Sequence, residues 1–541
     1  MDENPINNSS QKKWLTPIIY AFLIIIGVIL GSLLAIRKNA ASAIVSPHNQ
    51  NGKIDNVLDF IEDNYVDSIN PKKLEENTIT AMLKQLDPHS NYIPAAELKE
   101  VNEPLQGNFH GIGIEFNIVN DTICVVHPIE GGPSESLGIK AGDRIVKIDG
   151  KNVAGIKITN KKVFELLRGE KNTKVNVSIK RESQKELLDF TITRGEIPIY
   201  SVDVAVMAEQ GVGYIKVSRF AANTYDEFRK GFNKLIKQGM KKLIIDLRGN
   251  GGGYLNAAVD IADEFLSKGM LIVYTKGKNS PEQKYYATEK GSFENNQLVI
   301  LIDEGSASAS EIVSGALQDN DRATIIGRRS FGKGLVQEQF EIPDGSAIRL
   351  TVARYYTPSG RCIQKPYNKG LDAYYSEEYD RYENGEMLHQ DSIHFSDSLK
   401  YKTVSGRTVY GGGGIMPDVF VPFDTSYRSS YLNKVFYKGL VNDFCFSYAD
   451  KNRKQLLSYK TAADFVKNYK PSPQLLHEFA DFAASKGTPK NDEQLKKSSS
   501  YLLTELKALI GRNLFDNEAY YPTLLQEDKV FKEALNSFSK K

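Results

Sequence analysis

The spacing of hydrophobic and polar residues changes several times along the chain, and each change predicts a different kind of structure. Residues 54–98 carry apolar side chains at helical spacing, which predicts a small helical module. Residues 107–197 alternate glycine turns with short apolar runs, which predicts a unit rich in β-strands. Residues 210–357 alternate buried strands with helix-length segments, as in an α/β layer fold. From residue 427 onward the pattern is helical and rich in polar residues.

These changes divide the chain into consecutive parts. A tyrosine-rich, charged stretch interrupts the α/β region and predicts an insertion on the surface. The expected order is an N-terminal tail at 1–14, an apolar segment at 15–36, a helical N-terminal module at 52–104, a β-rich domain at 105–197, an α/β core at 198–425 with its insertion at 366–404, and a C-terminal helical extension at 427–541.

The apolar segment runs from Leu15 to Ile36 without a charge. It is long enough to cross a hydrocarbon core of about 30 Å as a helix. Basic residues flank both ends, so the positive-inside rule orients it only weakly. A short tail before a long body is the usual layout of a signal anchor, which predicts an inner-membrane protein with its body on the periplasmic side. A cleaved signal peptide is the alternative, because Ala41-Ser42-Ala43 resembles a cleavage site.

Charge and composition exclude several classes of function. The 69 basic and 67 acidic residues leave a net charge of +2, which gives no electrostatic support for binding nucleic acid. The three cysteines, Cys124, Cys362 and Cys445, form no CxxC motif, so neither a structural zinc site nor a disulfide framework is expected. The seven histidines lack the HExxH spacing of zinc peptidases, and we expect no metal and no cofactor.

Candidate chemistry is concentrated in a serine-rich turn, Gly305–Glu311, between a predicted strand at 298–303 and a predicted helix at 310–318. Backbone N–H groups are unpaired at the start of a helix, and the helix dipole favours negative charge, so an oxyanion could be held there. One of the three serines in the turn could equally cap the helix. The pattern alone does not choose among the three.

A lysine between two glycines, Lys333, follows the middle serine, Ser308, along the chain. A lysine acts as a general base only when it is neutral, which burial achieves by lowering its pKa. If residues 334–340 form a strand, Lys333 and Gln337 share one face, and the glutamine could orient the amine. A surface turn or a phosphate-binding loop is the alternative, although the Walker pattern is absent.

A glycine run is the third candidate motif. It reads Asp246-Leu247-Arg248-Gly249-Asn250-Gly251-Gly252-Gly253 and follows a predicted buried strand. Such a loop can present backbone N–H groups to an oxyanion or a phosphate. Flexible turns have the same composition, so the run alone is weak evidence.

Two segments of the β-rich region resemble a PDZ domain: the loop and strand Gly111–Phe116, and the run Gly138–Gly150. A PDZ domain binds an extended C-terminal peptide by strand addition and holds its carboxylate with loop N–H groups. The resemblance implies that the backbone of Gly111, Ile112, Gly113 and Ile114 binds the carboxylate. The alternative is a small β-rich domain with no ligand.

Taken together, the motifs resemble those of the C-terminal processing (tail-specific) serine peptidases over residues 52–425. They are Leu86–Ser90, Asp246–Gly253, Ser306–Glu311, Gly332–Gly334, Thr357–Arg361 and Gly413–Asp418. The resemblance implies a crotonase/ClpP-like α/β core in which Ser308 is the nucleophile, Lys333 the general base and Gln337 its support. It also implies that the backbone N–H groups of Gly253 and Ala309 hold the oxyanion.

The implied function is a membrane-anchored, exported serine endopeptidase that captures unstructured protein tails and cleaves them through an acyl-enzyme. Arg168 could couple a bound tail to the core by an ion pair, or could be a solvated surface charge. By resemblance, the N-terminal helical module could form a homodimer. The alternatives are a non-enzymatic scaffold that binds exported tails, and a crotonase-like acyl-transfer enzyme, which would need neither a PDZ-like domain nor an anchor.

Overall fold

The computed structural model describes residues 20–28, 52–182, 184–394 and 396–539. The chain separates into two compact units, Met1–Ala81 and Met82–Lys541. The helices of the N-terminal region are α1 at 20–28, α2 Lys53–Asn64 and α3 Pro71–Leu83. The helical pattern predicted from residue 54 onward is present as α2 and α3, but Asn91–Ile93 within the predicted helical module form a strand instead.

Most of the predicted membrane segment, 15–36, lies outside the described residues, which include only 20–28 of it. Within the described ranges, no helix is both long and apolar enough to cross a lipid bilayer. The predicted tail at 1–14 and the candidate cleavage site at 41–43 also lie outside the described residues.

Residues 108–198 form a β-rich domain. Its elements are β2 Asn108–Gly111, β3 Ile114–Val119, β4 Thr122–Pro128, α5 Pro133–Ser136, β5 Arg144–Ile148, β6 Lys151–Asn152, α6 Asn160–Leu167, β7 Lys174–Lys180, β8 Leu188–Thr193 and β9 Gly195–Pro198. The main sheet has the antiparallel order β3-β4-β5-β7-β8, with β6 paired to β5, and β2 and β9 form a separate pair. Alternate residues of β7 are buried, as expected of a strand with one face on a core.

The α/β core is built on a six-stranded sheet whose central strands are parallel. Its elements are β10 Val202–Glu209, β11 Val212–Val217, α7 Thr224–Lys237, β12 Lys242–Asp246, α8 Leu255–Asp263, β15 Gln297–Ile302, α9 Ala309–Asp319, β16 Thr324–Gly327 and β21 Val419–Phe420. The strand order is β10-β11-β12-β15-β16-β21, and β10 runs antiparallel to its neighbour. Strands β12 and β15 are almost completely buried because helices cover both faces of the sheet.

A second sheet has five strands, and the candidate lysine, Lys333, lies two residues before one of them. Its elements are β1 Asn91–Ile93, β13 Leu271–Lys276, β14 Gln283–Tyr286, β17 Leu335–Glu341 and β18 Ala347–Tyr356, and helix α4, Ala95–Gln106, follows β1. The long strand β18 pairs with β1, β13 and β17. The strand predicted at 334–340 thus corresponds to β17.

The insertion predicted at 366–404 is not confined to the surface. It contains α10 Leu371–Glu383, two single-turn 3₁₀ helices at Gln390–Ser392 and Asp397–Leu399, and β19 Lys400–Lys402, which pairs with β20 Thr408–Tyr410. Tyr374 and Arg381 of α10 are buried. The expectation of a surface excursion is therefore wrong for α10, because one side of this helix packs against the interior.

The C-terminal extension consists of helices. They are α11 Ser430–Tyr437, α12 Leu440–Lys451, α13 Arg453–Leu456, α14 Ala462–Asn468, α15 Pro473–Ser485, α16 Asp492–Phe515, α17 Asn517–Leu525 and α18 Lys529–Ser537. Helices α11 to α17 share a hydrophobic core of their own. Val530 and Phe531 of α18 instead pack on the α/β core sheet, beside Tyr214 and Ile244. The extension is therefore part of the folded body that contains the core.

Candidate active site

The serine turn, the glycine run and the candidate lysine line one cleft of about 1670 Å³. The side chains of Ser308, Lys333 and Gln337 lie in its wall, together with the backbone of Gly251–Gly253. Across the described ranges of the chain, no group of three or more His, Cys, Asp or Glu residues is arranged to hold a metal ion.

The three serines of the turn have different environments. Ser306 and Ser310 are buried, and their hydroxyls donate to the backbone carbonyls of Leu247 and Asn250, each at 2.8 Å. Ser308 is half-buried and is the serine that lines the cleft. It is also the residue before α9, with a φ of 54°, a value that non-glycine residues rarely adopt. The geometry thus separates Ser308 from its two neighbours.

Lys333 lies two residues before β17 and is half-buried rather than on a surface turn. Its Nζ donates to Gln337 Oε1 at 3.1 Å. Burial lowers the pKa of Lys333, and the positive charge of Arg349 lowers it further, whereas the carboxylates of Glu311 and Asp87 act in the opposite direction. A lysine with a lowered pKa releases its proton more readily at neutral pH.

Gln337 also contacts a turn near the start of the second unit. Its Nε2 donates to the backbone carbonyl of His89 at 2.5 Å. The N–H groups of His89 and Ser90 both donate to the Asp87 carboxylate, at 2.8 and 2.9 Å. Burial and the charge of Lys333 lower the pKa of the His89 ring to about 4, so the ring is neutral at pH 7. The sequence motif Leu86–Ser90 does not by itself indicate this contact with Gln337.

Glu311, to which sequence analysis gave no role, joins the serine and lysine segments. Its buried carboxylate accepts hydrogen bonds from the N–H groups of Ser308, Gly332 and Lys333 at 2.9, 2.7 and 2.8 Å. The Ser330 hydroxyl is a fourth donor, at 2.5 Å. Burial raises the pKa of Glu311 to about 7, against the effect of these donors. An acidic residue three positions after a helix cap is the sequence signal that could have identified it.

Asn250 holds the glycine run against the serine turn. Its side chain is buried, and its Nδ2 donates to the Val217 carbonyl at 2.9 Å. Its Oδ1 accepts from the Gly252 N–H at 2.9 Å, and its backbone carbonyl accepts from the Ala307 N–H at 2.9 Å. The Asn250 side chain thus fixes the glycine run to β11, and its backbone carbonyl fixes the run to the serine turn.

Gly252 and Gly253 approach neighbouring atoms too closely for a side chain to fit. A Cβ on Gly252 would lie 2.8 Å from the Ser308 Cβ, and one on Gly253 would lie 2.0 Å from the Phe220 carbonyl oxygen. Both glycines also have positive φ angles, 97° and 147°. In the part of the chain that the structure describes, no protein hydrogen bond uses the N–H of Gly253 or of Ala309. Gly253 lines the same cleft as Ser308, and Ala309 follows Ser308 in the chain.

The four residues predicted to bind a carboxylate, Gly111, Ile112, Gly113 and Ile114, connect β2 to β3, which is an edge strand of its sheet. Ile112 is buried in the core of the domain, and Gly113 has a φ of 74°. This is the place at which a strand could be added to the sheet edge.

Arg168, at the end of α6, is not a solvated charge. Its Nη1 donates to the Glu103 carboxylate of α4 at 2.8 Å, and its guanidinium lies 4.4 Å from the centre of the Phe109 ring. This ion pair joins the β-rich domain to the helix that precedes it.

Comparison with known proteins gives three family matches: peptidase family S41 over residues 211–372, a PDZ domain over 111–192, and a family of unknown function, DUF8443, over 431–516. Over 348 residues the chain is 37% identical to a carboxy-terminal-processing protease of Bartonella bacilliformis, covering 62% of this chain and 78% of that protein. Over 325 residues it is 36% identical to a carboxy-terminal processing protease of Bacillus subtilis, covering 59% and 66%.

Among solved structures, the photosystem II D1 C-terminal processing protease aligns with a TM-score of 0.34 and 26% identity, covering 68% of this chain and 91% of that one. The family matches fall on the β-rich domain and on the α/β core that contains the cleft. The Bartonella relative adds an identity well above chance over more than three quarters of its own length. The chain belongs to peptidase family S41 and is a PDZ-containing serine peptidase of the C-terminal processing type.

Proposed function

We propose that the protein is an endopeptidase that forms an acyl-enzyme on Ser308, with Lys333 as general base and Gln337 as its support. The observation that carries this proposal is the state of Lys333: its pKa is lowered, and its amine is held by Gln337 at 3.1 Å in the cleft that Ser308 lines. A lysine that is readily neutral can accept the proton of a serine hydroxyl.

In the proposed reaction, neutral Lys333 takes the proton from the Ser308 hydroxyl as Oγ attacks the scissile carbonyl carbon. The N–H groups of Gly253 and Ala309 stabilise the oxyanion that forms. The Lys333 ammonium then protonates the leaving amine, and the C–N bond breaks to leave an ester on Ser308. Water, deprotonated by Lys333, hydrolyses this ester and restores both residues.

We propose that the PDZ domain captures the substrate by its C-terminal tail. The N–H groups between Gly111 and Ile114 would hold the carboxylate, and the tail would pair with the free edge of β3. Unstructured tails suit this arrangement, because strand addition needs an extended chain. The ion pair between Arg168 and Glu103 would couple tail binding to the core.

The test compares cleavage of casein by the full chain with cleavage by Ser308→Ala and Lys333→Ala. We expect both variants to lose activity by at least about 10³-fold, because the two residues act as one unit. The matched controls are Ser426→Ala and Lys369→Ala, which change the same residue types at exposed positions and should cleave casein like the parent. Retained activity in Ser308→Ala would contradict the proposed nucleophile. If the parent cleaves none of the substrates that carry an unstructured tail, the alternative of a non-enzymatic scaffold that binds such tails would be favoured.

We further propose an inner-membrane anchor at residues 15–36 with the body on the periplasmic side, supported by the absence of charge from this run. Extraction of membranes with alkaline carbonate tests the anchor, and release of the full chain would contradict it.

We also propose a homodimer formed through the N-terminal helical module. The exposed apolar side chains Ile54, Val57 and Phe60 of α2 support it.

We also assign the core to the crotonase/ClpP-like folds, because a glycine loop follows a central parallel strand.

A further inference from the structure

We infer that helix α10 of the insertion positions the general base. In this arrangement Tyr374 and Tyr375 hold the turn at Pro88 and His89, and the His89 carbonyl fixes the amide of Gln337, which directs Lys333. The inference rests on the proposed roles of Ser308, Lys333 and Gln337. It gives a function to a segment that lies largely beyond the peptidase family match, which ends at residue 372.

The two ends of the Gln337 amide are chemically different, and only one of them supports a base. Because Nε2 donates to the His89 carbonyl, Oε1 is the end that faces the amine of Lys333. An amide turned the other way would donate an N–H to the neutral amine. It would then occupy the lone pair that has to accept the Ser308 proton. The position of the His89 carbonyl therefore determines whether Lys333 can act as a general base.

Helix α10 contacts the turn that supplies this carbonyl through two neighbouring tyrosines. The Tyr374 hydroxyl lies 2.8 Å from Nε2 of His89, and the two rings pack edge to face at 5.4 Å. The Tyr375 hydroxyl donates to the Pro88 carbonyl at 2.7 Å. The Asp87 carboxylate holds the other side of the turn, through the His89 N–H at 2.8 Å. The turn is thus fixed from both sides.

The same helix is anchored to the loop that leads to Lys333. Arg381 donates to the backbone carbonyls of Arg329 and Ser330, at 2.7 and 3.2 Å, and is itself buried. The Tyr374 ring packs edge to face on Phe331, with ring centres 5.9 Å apart. Helix α10 therefore contacts both the loop that carries the base and the turn that orients its partner.

The test measures steady-state peptide cleavage by the full chain carrying Tyr374→Phe. We expect kcat to fall about tenfold while KM stays within about twofold, because substrate contacts are untouched. The acidic limb of the pH profile should also move to lower pH, because loss of the Gln337 oxygen removes an acceptor that stabilises the Lys333 ammonium. Gln337→Glu adds a negative charge beside Lys333 and should move the acidic limb of the pH profile to higher pH. This variant therefore shows how the pH profile responds when the pKa of Lys333 is raised.

The matched control is Tyr379→Phe, the same substitution on the exposed side of α10, which should behave like the parent. Rates are divided by the concentration of enzyme that a fluorophosphonate labels at saturation, so that a smaller folded fraction is not counted as slower chemistry. A parent-like kcat and pH profile in Tyr374→Phe would overturn the inference, and so would a loss that disappears after this correction. Activity in Ser308→Ala or Lys333→Ala would instead overturn the proposed function.

Discussion

At the scale of single residues, the buried Glu311 carboxyl makes stability depend on pH. Its pKa is about 7 in the fold and about 4.3 in an unfolded chain, so between these values the folded state holds a proton that the unfolded state has released. The free energy of unfolding therefore falls as pH rises through this window, by about 3 kcal/mol from this group. Urea unfolding at pH 5 and pH 8 measures the change.

Glu311→Gln removes the titrating group, so the difference in unfolding free energy between the two pH values should shrink by about 3 kcal/mol. The variant should also be less active, because an amide offers an N–H to backbone donors of Ser308 and Lys333 that need an acceptor. Glu338→Gln, at an exposed position, is the matched control. If the unfolding free energy of Glu311→Gln changed with pH as in the parent, another group would be responsible for the pH dependence of stability.

The site was only partly predictable from the sequence at this scale. The motifs indicated Ser308, Lys333 and Gln337, and the structure brings all three to one cleft. The choice of Ser308 over its neighbours came from family resemblance, whereas its physical basis is the burial of the other two hydroxyls. The contact between His89 and Tyr374 joins residues 285 positions apart, and no local pattern encodes such a pairing.

At the scale of elements, the glycine loop after β12 is defined by how closely it approaches the serine turn. Gly252→Ala would place a Cβ 2.8 Å from the Ser308 Cβ at a φ of 97°, so the turn or the loop must move. A displacement of this size at the reacting atoms should lower the casein cleavage rate about 100-fold. Gly251→Ala is the control, because its Cβ would meet nothing within 4 Å. Equal activity of the two variants would contradict this view of the loop.

Elements with strong apolar periodicity were predicted closely, and those without it were not. The strand and helix around the serine turn, predicted at 298–303 and 310–318, are Gln297–Ile302 and Ala309–Asp319. Strand β18 was missed because most of its ten residues are half-buried and two are arginines, so no alternation stands out. Helix α10 was placed on the surface because its charged residues conceal the buried Tyr374 and Arg381.

At the scale of the whole molecule, the C-terminal extension connects the PDZ domain to the core. On the PDZ side, Phe446 of α12 packs on Cys124 and Val126, and Asp450 pairs with Arg144 at 2.7 Å. On the core side, the residues that make contact are Asp528, which pairs with Arg248 at 2.7 Å, and Tyr521, whose hydroxyl donates to Asp203. The helical pattern predicted these helices but could not indicate what they pack against.

Phe446→Ala should therefore loosen the PDZ domain. Loss of this buried ring should cost about 3–5 kcal/mol of stability at the contact. Hydrogen exchange measured by mass spectrometry should become faster in β4, Thr122–Pro128, while β12 and β15 remain protected. Tyr437→Ala, an aromatic change at a position that is 93% exposed, is the control. Unchanged exchange in β4 would mean that the extension does not hold the domain.

The backbone at Ser308 has a consequence for how the cell makes this enzyme. A positive φ at a non-glycine residue costs roughly 1–3 kcal/mol and persists only where surrounding contacts enforce it. Glu311 is one of the residues that hold this backbone conformation. Its carboxylate accepts hydrogen bonds from residues 330, 332 and 333, which the ribosome adds after Ser308. We therefore expect Ser308 of a nascent chain to lack its active conformation until residues 330–333 have been synthesised. The order of synthesis would thus prevent unwanted proteolysis before the chain is complete.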